Sequence, residues 1–185
     1  MKTTTLRRTG LRVGLLLAAA LFTSACAQHR REEAVASRLD PALLQHAVSE
    51  AKSLRARGGR VWCVPFARNA SGVEIRGNAE TWWSQAAGHY LRGKAPRQGA
   101  VMAFSGTRQL PMGHVAVVSK VISEREITIS HANWKRNQVS LDMPVIDISE
   151  KNDWSRVRVM SVPGNYGRPY KIDGFILAQN LPDAG

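Results

Sequence analysis

The spacing of apolar residues predicts a helix that begins near position 40. Asp40 is a suitable N-cap, and Pro41 suits the first helical position, where a backbone N–H would have no partner in any case. Apolar residues then recur three or four positions apart, at Leu43, Leu44, Ala47, Val48, Ala51 and Leu54. Gly58-Gly59 interrupts this pattern and marks the end of the helix.

Two shorter helices are predicted before position 90. The first follows Cys63 and ends by residues 71–72, where a serine and a glycine interrupt the apolar pattern. The second has Asn78 as its N-cap and Gly88 as its terminator. Its apolar positions are Trp82, Trp83, Ala86 and Ala87.

After Gly99 the chain alternates short segments rich in valine and isoleucine with turn residues. The predicted strands cover residues 100–104, 114–121, 126–132, 139–148 and 156–162. Residues 123–125 separate two of these strands and predict a hairpin, while 163–169 are predicted as a loop before a last apolar stretch at 175–177. Helices followed by a run of short strands favour an α+β fold with an antiparallel sheet.

The first 27 residues have the layout of a secretory signal peptide. Basic residues at Lys2, Arg7, Arg8 and Arg12 precede the apolar run 13–22, which is short for a membrane span of about 20 residues. Two processing routes remain open. Cleavage after Ala27 would release a soluble chain, whereas a lipobox-like ending at Cys26 would make that residue a lipidated N-terminus.

We therefore expect an exported protein of the periplasm or cell envelope, which contacts the membrane only if Cys26 is lipidated. Residues 28–37 are polar and predict a flexible tether, and 38–185 are expected to form the catalytic domain. The full chain has 185 residues and a net charge of +12, and removal of the leader takes four positive charges away and leaves +8. In an exported protein this charge favours an anionic cell-wall polymer rather than nucleic acid as partner.

The cysteine and histidine patterns predict no metal and no cofactor. Two cysteines are too few for a disulfide-stapled miniprotein or a four-cysteine zinc site. The five histidines show no metal-binding spacing, and His46 and His89 are expected at the surface. Because Cys26 is either removed or lipidated, Cys63 is expected to be an unpaired thiol.

Three residues in chain order suggest thiol chemistry. Pro65 predicts that Cys63 lies at a helix start, where the dipole would lower the thiol pKa, although a buried core cysteine is the alternative. His114 opens a strand directly after Gly113 and is a candidate base. His131 ends the partner strand, and Asn133 would lie on the same side of that strand by the period of two. A polar group there would orient the imidazole.

Segments in this order resemble the CHAP domain (cysteine, histidine-dependent amidohydrolase/peptidase), a relative of the NlpC/P60 enzymes. The resemblance covers roughly residues 61–134 and rests on the segments 62–67, 77–79 with Trp82, 96–101, 113–118 and 129–134. It implies a papain-like fold, with N-terminal helices packed on the antiparallel sheet, and Cys63 and His114 as catalytic pair. It further implies a peptidoglycan hydrolase, either an N-acetylmuramoyl-L-alanine amidase or an endopeptidase.

The sequence departs from the CHAP pattern at one position, because His131 stands where such domains often carry glutamate. NlpC/P60 relatives accept histidine there, so the third role goes to His131 and a supporting role to Asn133. Trp82, Trp83 and Trp134 are the candidates for contact with substrate, although one of Trp82 and Trp83 is expected to pack in the core. The basic residues Arg92, Lys94, Arg97 and Arg108 form either a solvated face or a surface that meets substrate carboxylates. The alternatives are a catalytically silent peptidoglycan-binding module and, on charge alone, a nucleic-acid-binding protein. The oligomeric state is not predicted.

Overall fold

The computed structural model describes residues 38–180, in which three helices precede seven strands. The helices are α1 (Pro41–Ala56), α2 (Cys63–Ser71) and α3 (Trp82–Gln85), and a 3-10 turn at Ala79–Thr81 leads into α3. The strands are β1 (Tyr90–Gly93), β2 (Val101–Phe104), β3 (His114–Ser123), β4 (Glu126–Ala132), β5 (Val139–Asp147), β6 (Arg156–Val159) and β7 (Pro169–Asn180). The predicted α+β class is confirmed. None of the helices in this range is long and apolar enough to cross a membrane.

Local sequence explains where the helices begin and end. The Asp40 carboxylate accepts hydrogen bonds from the N–H groups of Ala42 (2.8 Å) and Leu43 (3.4 Å), as expected for an N-cap. Helix α2 ends at Gly72, which adopts a left-handed conformation with φ of 75°. The predicted third helix is reduced to the 3-10 turn and the single turn of α3.

The seven strands form an antiparallel sheet in the order β1-β7-β2-β3-β4-β5-β6, and β6 also pairs with β7. This last pairing closes β2 to β7 into a barrel, with β1 added on β7. The predicted hairpin is confirmed, because β3 and β4 pair antiparallel from Ser123↔Glu126 to Val117↔Ser130. Strands β1 and β7 were not predicted, since β7 contains Pro169, Asp173 and Gly174 and lacks a regular apolar alternation.

Two apolar clusters lie on opposite faces of the central strands. Val101, Val115 and Val117 pack with the helices, together with Phe66 and Ala67 of α2. Their neighbours along the same strands point into the barrel and form the second cluster, which includes Met102, Phe104, Ala116, Val118, Ile127 and Ile129. Because both faces are covered, every residue of β2 is buried.

Gly113 allows close approach of backbones immediately before β3. It has a φ of 62°, and a Cβ there would lie 2.7 Å from the Glu80 nitrogen and 2.8 Å from the Phe104 carbonyl oxygen. Backbone atoms cannot yield as a flexible side chain can, so the position of β3 depends on the absence of a side chain.

We expect Gly113→Ala to lower the free energy of unfolding by about 2–4 kcal/mol, because it combines a strained φ with a steric clash. Gly88→Ala is the matched control, since Gly88 has a φ of 78° but nothing within 4 Å of its virtual Cβ. Urea unfolding measures both variants. Equal losses would show that backbone strain alone, and not the Glu80 contact, explains the glycine.

Candidate active site

Cys63 is the first residue of α2, as Pro65 predicts, and it is partly buried as a free thiol. The backbone amides of Val115, Val64 and Cys63 itself interact with its sulfur. Val115 directly follows His114 in β3, so the fold places the thiol beside the residue that adjoins the candidate base. Cys63 and β3 are brought together by the packing of α2 on the central strands.

The thiol of Cys63 is not activated by its surroundings in the way the sequence suggests. Burial raises its pKa above the ordinary value of 9.0, and the three backbone amides lower it by less. The prediction of a lowered thiol pKa is therefore wrong. At a helix start that is packed against a sheet, loss of solvation outweighs the helix dipole.

His114 and His131 form a direct hydrogen bond. His114 Nε2 and His131 Nδ1 are 2.9 Å apart, and the ring planes are inclined by 81°. Both side chains are buried, with 5% and 0% of their surface exposed. The bond leaves Nδ1 of His114 as the ring nitrogen available for proton exchange. Of the two candidates for the third role, the structure brings His131 to the base.

One proton is shared in this contact, and its position decides whether His114 can act as a base. If His114 Nε2 carries the proton, its Nδ1 has the lone pair that a base needs, and His131 then carries its proton on Nε2. His131 Nε2 is buried and has no hydrogen-bond partner among the described residues. The tautomer suited to catalysis therefore leaves a buried donor unpaired, at a cost of about 1–3 kcal/mol.

Burial keeps both rings neutral. It lowers the pKa of His114 to about 3, and it lowers the pKa of His131 well below 6.5, with a further contribution from repulsion by His114. A raised thiol pKa and lowered imidazole pKa values favour the same proton distribution. The resting site is a neutral thiol with a neutral imidazole, not a thiolate–imidazolium pair.

Aromatic side chains enclose the two histidines. The Trp134 ring stacks on His131 with centroids 5.5 Å apart and meets His114 edge-on at 5.0 Å. Its Nε1 donates to the Ser161 hydroxyl at 2.7 Å, which fixes the indole. Phe104 contacts His114 from inside the barrel at 5.6 Å. The sequence analysis missed Ser161, which lies far from the catalytic motifs along the chain, and Phe104, which lies between two of the motif segments.

Asn133 does not share the face of His131, so that prediction is wrong. The strand ends at Ala132, and Asn133 has a φ of 61°, which interrupts the alternation. Its side-chain oxygen accepts the N–H of Asn137 at 2.9 Å. Asn137, which the sequence analysis also missed, accepts the N–H of Val61 at 3.0 Å. Asn133 thus shapes a loop that is hydrogen-bonded to Val61, two residues before Cys63.

Two of the tryptophans predicted to contact substrate are in contact with other residues of the protein. Trp82 has 0% exposure and belongs to the core, so it cannot contact substrate and that prediction is wrong. The Trp83 ring is covered by the Arg92 guanidinium at 4.7 Å and by Lys94 Nζ at 5.1 Å. Arg92 and Lys94 are both exposed, so their contact with substrate carboxylates stays a prediction. Across residues 38–180, no group of three or more His, Cys, Asp or Glu side chains is arranged to hold a metal ion.

The buried histidine pair predicts acid sensitivity of the fold. The unfolded chain protonates histidine below about pH 6.5, whereas folded His114 stays neutral towards its pKa of about 3. Below pH 6.5 the folded state therefore binds fewer protons than the unfolded state does. The contribution of the neutral pair to stability is complete above pH 6.5 and is lost progressively below that value. We expect the free energy of unfolding to fall by up to about 1.4 kcal/mol per pH unit for each histidine.

Urea unfolding from about pH 7.5 to about pH 5 measures this slope. His131→Asn should reduce it, because one buried imidazole is removed. His46→Gln should not change it, since His46 is exposed. An unchanged slope in His131→Asn would contradict a buried neutral pair.

Comparison with known proteins gives one family. The model described as the CHAP domain matches residues 55–133, which contain Cys63, His114 and His131. A search of curated proteins gave no match to the chain. The CHAP domain implies, in general, amidase or peptidase activity related to peptidoglycan. This match confirms the resemblance to the CHAP domain that the sequence motifs indicate.

Proposed function

We propose that the chain is an exported thiol hydrolase that cleaves an amide bond in the peptide part of peptidoglycan. The observation that carries this proposal is the 2.9 Å hydrogen bond between Nε2 of His114 and Nδ1 of His131, which leaves Nδ1 of His114 for the thiol. The interaction of the Cys63 sulfur with the Val115 amide supports it, because Val115 adjoins His114. A nucleophile, a base and an orienting group are thereby brought together.

In the first step, Nδ1 of His114 takes the proton of the Cys63 thiol while the sulfur attacks the amide carbonyl carbon. The C–N bond then breaks, and the proton passes from His114 to the leaving amine. Water attacks the resulting thioester, gives its proton to His114, and releases the carboxylic acid, after which the proton returns to sulfur. Because the resting pair is neutral, proton transfer accompanies the attack rather than preceding it.

The backbone of α2 supplies a donor for the oxyanion. Only Cys63 and Val64 have N–H groups among the first three residues of the helix, because Pro65 has none. We propose that the Cys63 N–H binds the developing oxyanion. The nucleophile at a helix start, the base at a strand start and the orienting residue on the next strand together support the papain-like arrangement.

Peptidoglycan offers this proposed site two kinds of amide bond. A muramoyl–L-alanine bond and a bond within the stem peptide are both amides and would be attacked in the same way. The proposed leader and Cys26 lie outside the described residues. Mass spectrometry of digested peptidoglycan identifies the bond, because amidase and endopeptidase products have different masses.

A catalytically silent wall-binding module is the second candidate, and the raised pKa of the Cys63 thiol favours it. The two functions differ in the reactivity of the sulfur. A hydrolase with His114 as base requires Cys63 to be alkylated by iodoacetamide at near-neutral pH faster than in a His114→Ala variant. A silent module requires slow alkylation in both proteins and binding to insoluble peptidoglycan without new products.

We expect Cys63→Ala to abolish the release of muropeptides, a loss of at least about a thousandfold, because no other group can form the thioester. Mass spectrometry of the digest is the measurement. Thermal unfolding of the same variant checks that the fold is retained, which is expected since alanine fits the partly buried site. Continued release of the same products would refute the thiol mechanism.

His131 is expected to act by orienting His114, so its replacement should lower kcat and leave KM nearly unchanged. His131→Leu removes the acceptor for His114 Nε2 and should lower kcat about 10–100-fold, as is usual for residues that orient a reacting group. His131→Asn should recover much of this loss, because its amide oxygen can accept the same hydrogen bond.

Asn133→Gly is the matched control for His131, since glycine keeps the left-handed backbone and removes a side chain that does not reach His114. It should change kcat by less than about threefold, a shift of well under 1 kcal/mol. Equal activity of His131→Leu and His131→Asn would exclude the orienting role.

A further inference from the structure

A pocket of about 160 Å³ lies between α1 and α2, beside the segment that carries the nucleophile. Val61 and Trp62, which precede Cys63, line one side of it, and Pro65 and Phe66, which follow Cys63, line another. The proposed mechanism gives this pocket no role. Cys63 itself does not line the pocket, but Trp62 and Pro65 on either side of it do, which makes the pocket a candidate subsite for a group near the cleaved bond.

Helix α1 presents one face to the pocket. Glu50, Leu54 and Arg57 line it and are spaced by four and three residues, which places them on one side of the helix. Glu50 and Arg57 are two turns apart, or about 10 Å along the axis. Because α2 follows α1 after a short connection, the Arg57 end of the pocket is the end near Cys63. The pocket is therefore basic towards the nucleophile and acidic away from it.

Arg60 adds a second positive charge at the basic end. Its guanidinium lies 4.0 Å from the centroid of the Trp62 ring, which is half exposed, and this stacking holds the charge in place. The N–H of Val61, between these two residues, is bound to Asn137. The ion pairs found within residues 38–180 do not include Arg57 or Arg60. Two cations, of which Arg60 is held by the Trp62 ring, thus line the pocket without a carboxylate partner in that range.

The volume of the pocket limits what it can hold. A cavity of about 150 Å³ accommodates benzene, so this pocket has room for about six non-hydrogen atoms. An alanine residue with a free carboxylate has that number of atoms. Its methyl group would contact Leu54 and Phe66, and its carboxylate would meet the guanidinium groups, which suit planar bidentate anions.

We propose that this pocket binds a short residue of the wall peptide that bears a free carboxylate, with Arg57 and Arg60 as the residues that recognise the charge. This inference rests on the proposed function, because it assigns part of the same substrate to a place next to Cys63. It makes the two arginines binding residues, which determine substrate choice and take no part in bond cleavage.

The test uses the full chain and disaccharide-peptide monomers released from peptidoglycan by a glycosidase, with their carboxylates either free or converted to methylamides. In the unmodified protein, methylamidation should raise KM about tenfold or more and change kcat little, as expected for the loss of a charge-assisted hydrogen bond. Arg57→Gln combined with Arg60→Gln should raise KM for the free acid to a similar extent. The same double variant should cleave the methylamide no worse than the unmodified protein does.

Two control variants separate carboxylate recognition from other effects of charge and shape. Arg55→Gln removes the same charge from the same helix but lies outside this pocket, so KM should stay within about twofold. Glu50→Gln removes a negative charge from the pocket itself and should lower KM for the free acid. A rise in KM on Glu50→Gln would show that the variants disturb the shape of the pocket and would overturn the proposal.

Failure of the inference differs from failure of the proposed function. Equal cleavage of free acid and methylamide, with no effect of the arginine variants, overturns the subsite and leaves the hydrolase intact. If the unmodified protein cleaves neither compound, calorimetric titration with the same two compounds measures their binding instead. Binding of the free acid that is lost with methylamidation or with the double arginine variant supports the subsite, and absence of binding overturns it.

Discussion

The hydrogen bond between His114 and His131 is the interaction on which the site depends. It joins the first residue of β3 to the end of β4, so it requires the antiparallel pairing of these strands. Gly113 lets the chain reach this position against Glu80, and Trp134 and Phe104 close the rings off from solvent. Each of these contacts restricts the imidazole to one orientation, with Nδ1 available to the thiol.

Burial explains why histidine is compatible with the third position here. A carboxylate in the same place would have to stay charged next to apolar rings, and an unpaired buried charge is far more costly than a neutral imidazole. The neutral pair avoids that cost but gives less stabilisation to the imidazolium that forms during the reaction. It also leaves the proton of His131 without a partner in the described region when His114 is in its basic form. The site thus combines firm positioning with modest electrostatic help.

Much of the site follows from local chemistry that a sequence displays. Pro65 marks the start of α2 and so the place of Cys63, and a three-residue turn between alternating segments predicts the hairpin that brings His131 towards His114. Other features depend on tertiary packing. Strand β7 lacks an apolar alternation because it pairs in turn with β6, β2 and β1 along its length. The burial of Trp82 and the raised pKa of the thiol likewise result from contacts between distant segments, whereas the left-handed Asn133 belongs to a local turn closed by Asn137.

The hydrogen bond between Asn137 and Val61 limits how the sequence around the site can vary. It spans 76 positions of sequence and ties the loop after His131 to the residues just before the nucleophile. The segments that carry Cys63 and His131 are consequently linked by this hydrogen bond, although neither residue takes part in it. An amide side chain that contacts no reacting atom thus helps to hold the segment before the nucleophile against the loop that follows His131. The residues allowed at position 137 are therefore limited by its contact with Val61, although neither residue contacts a reacting atom.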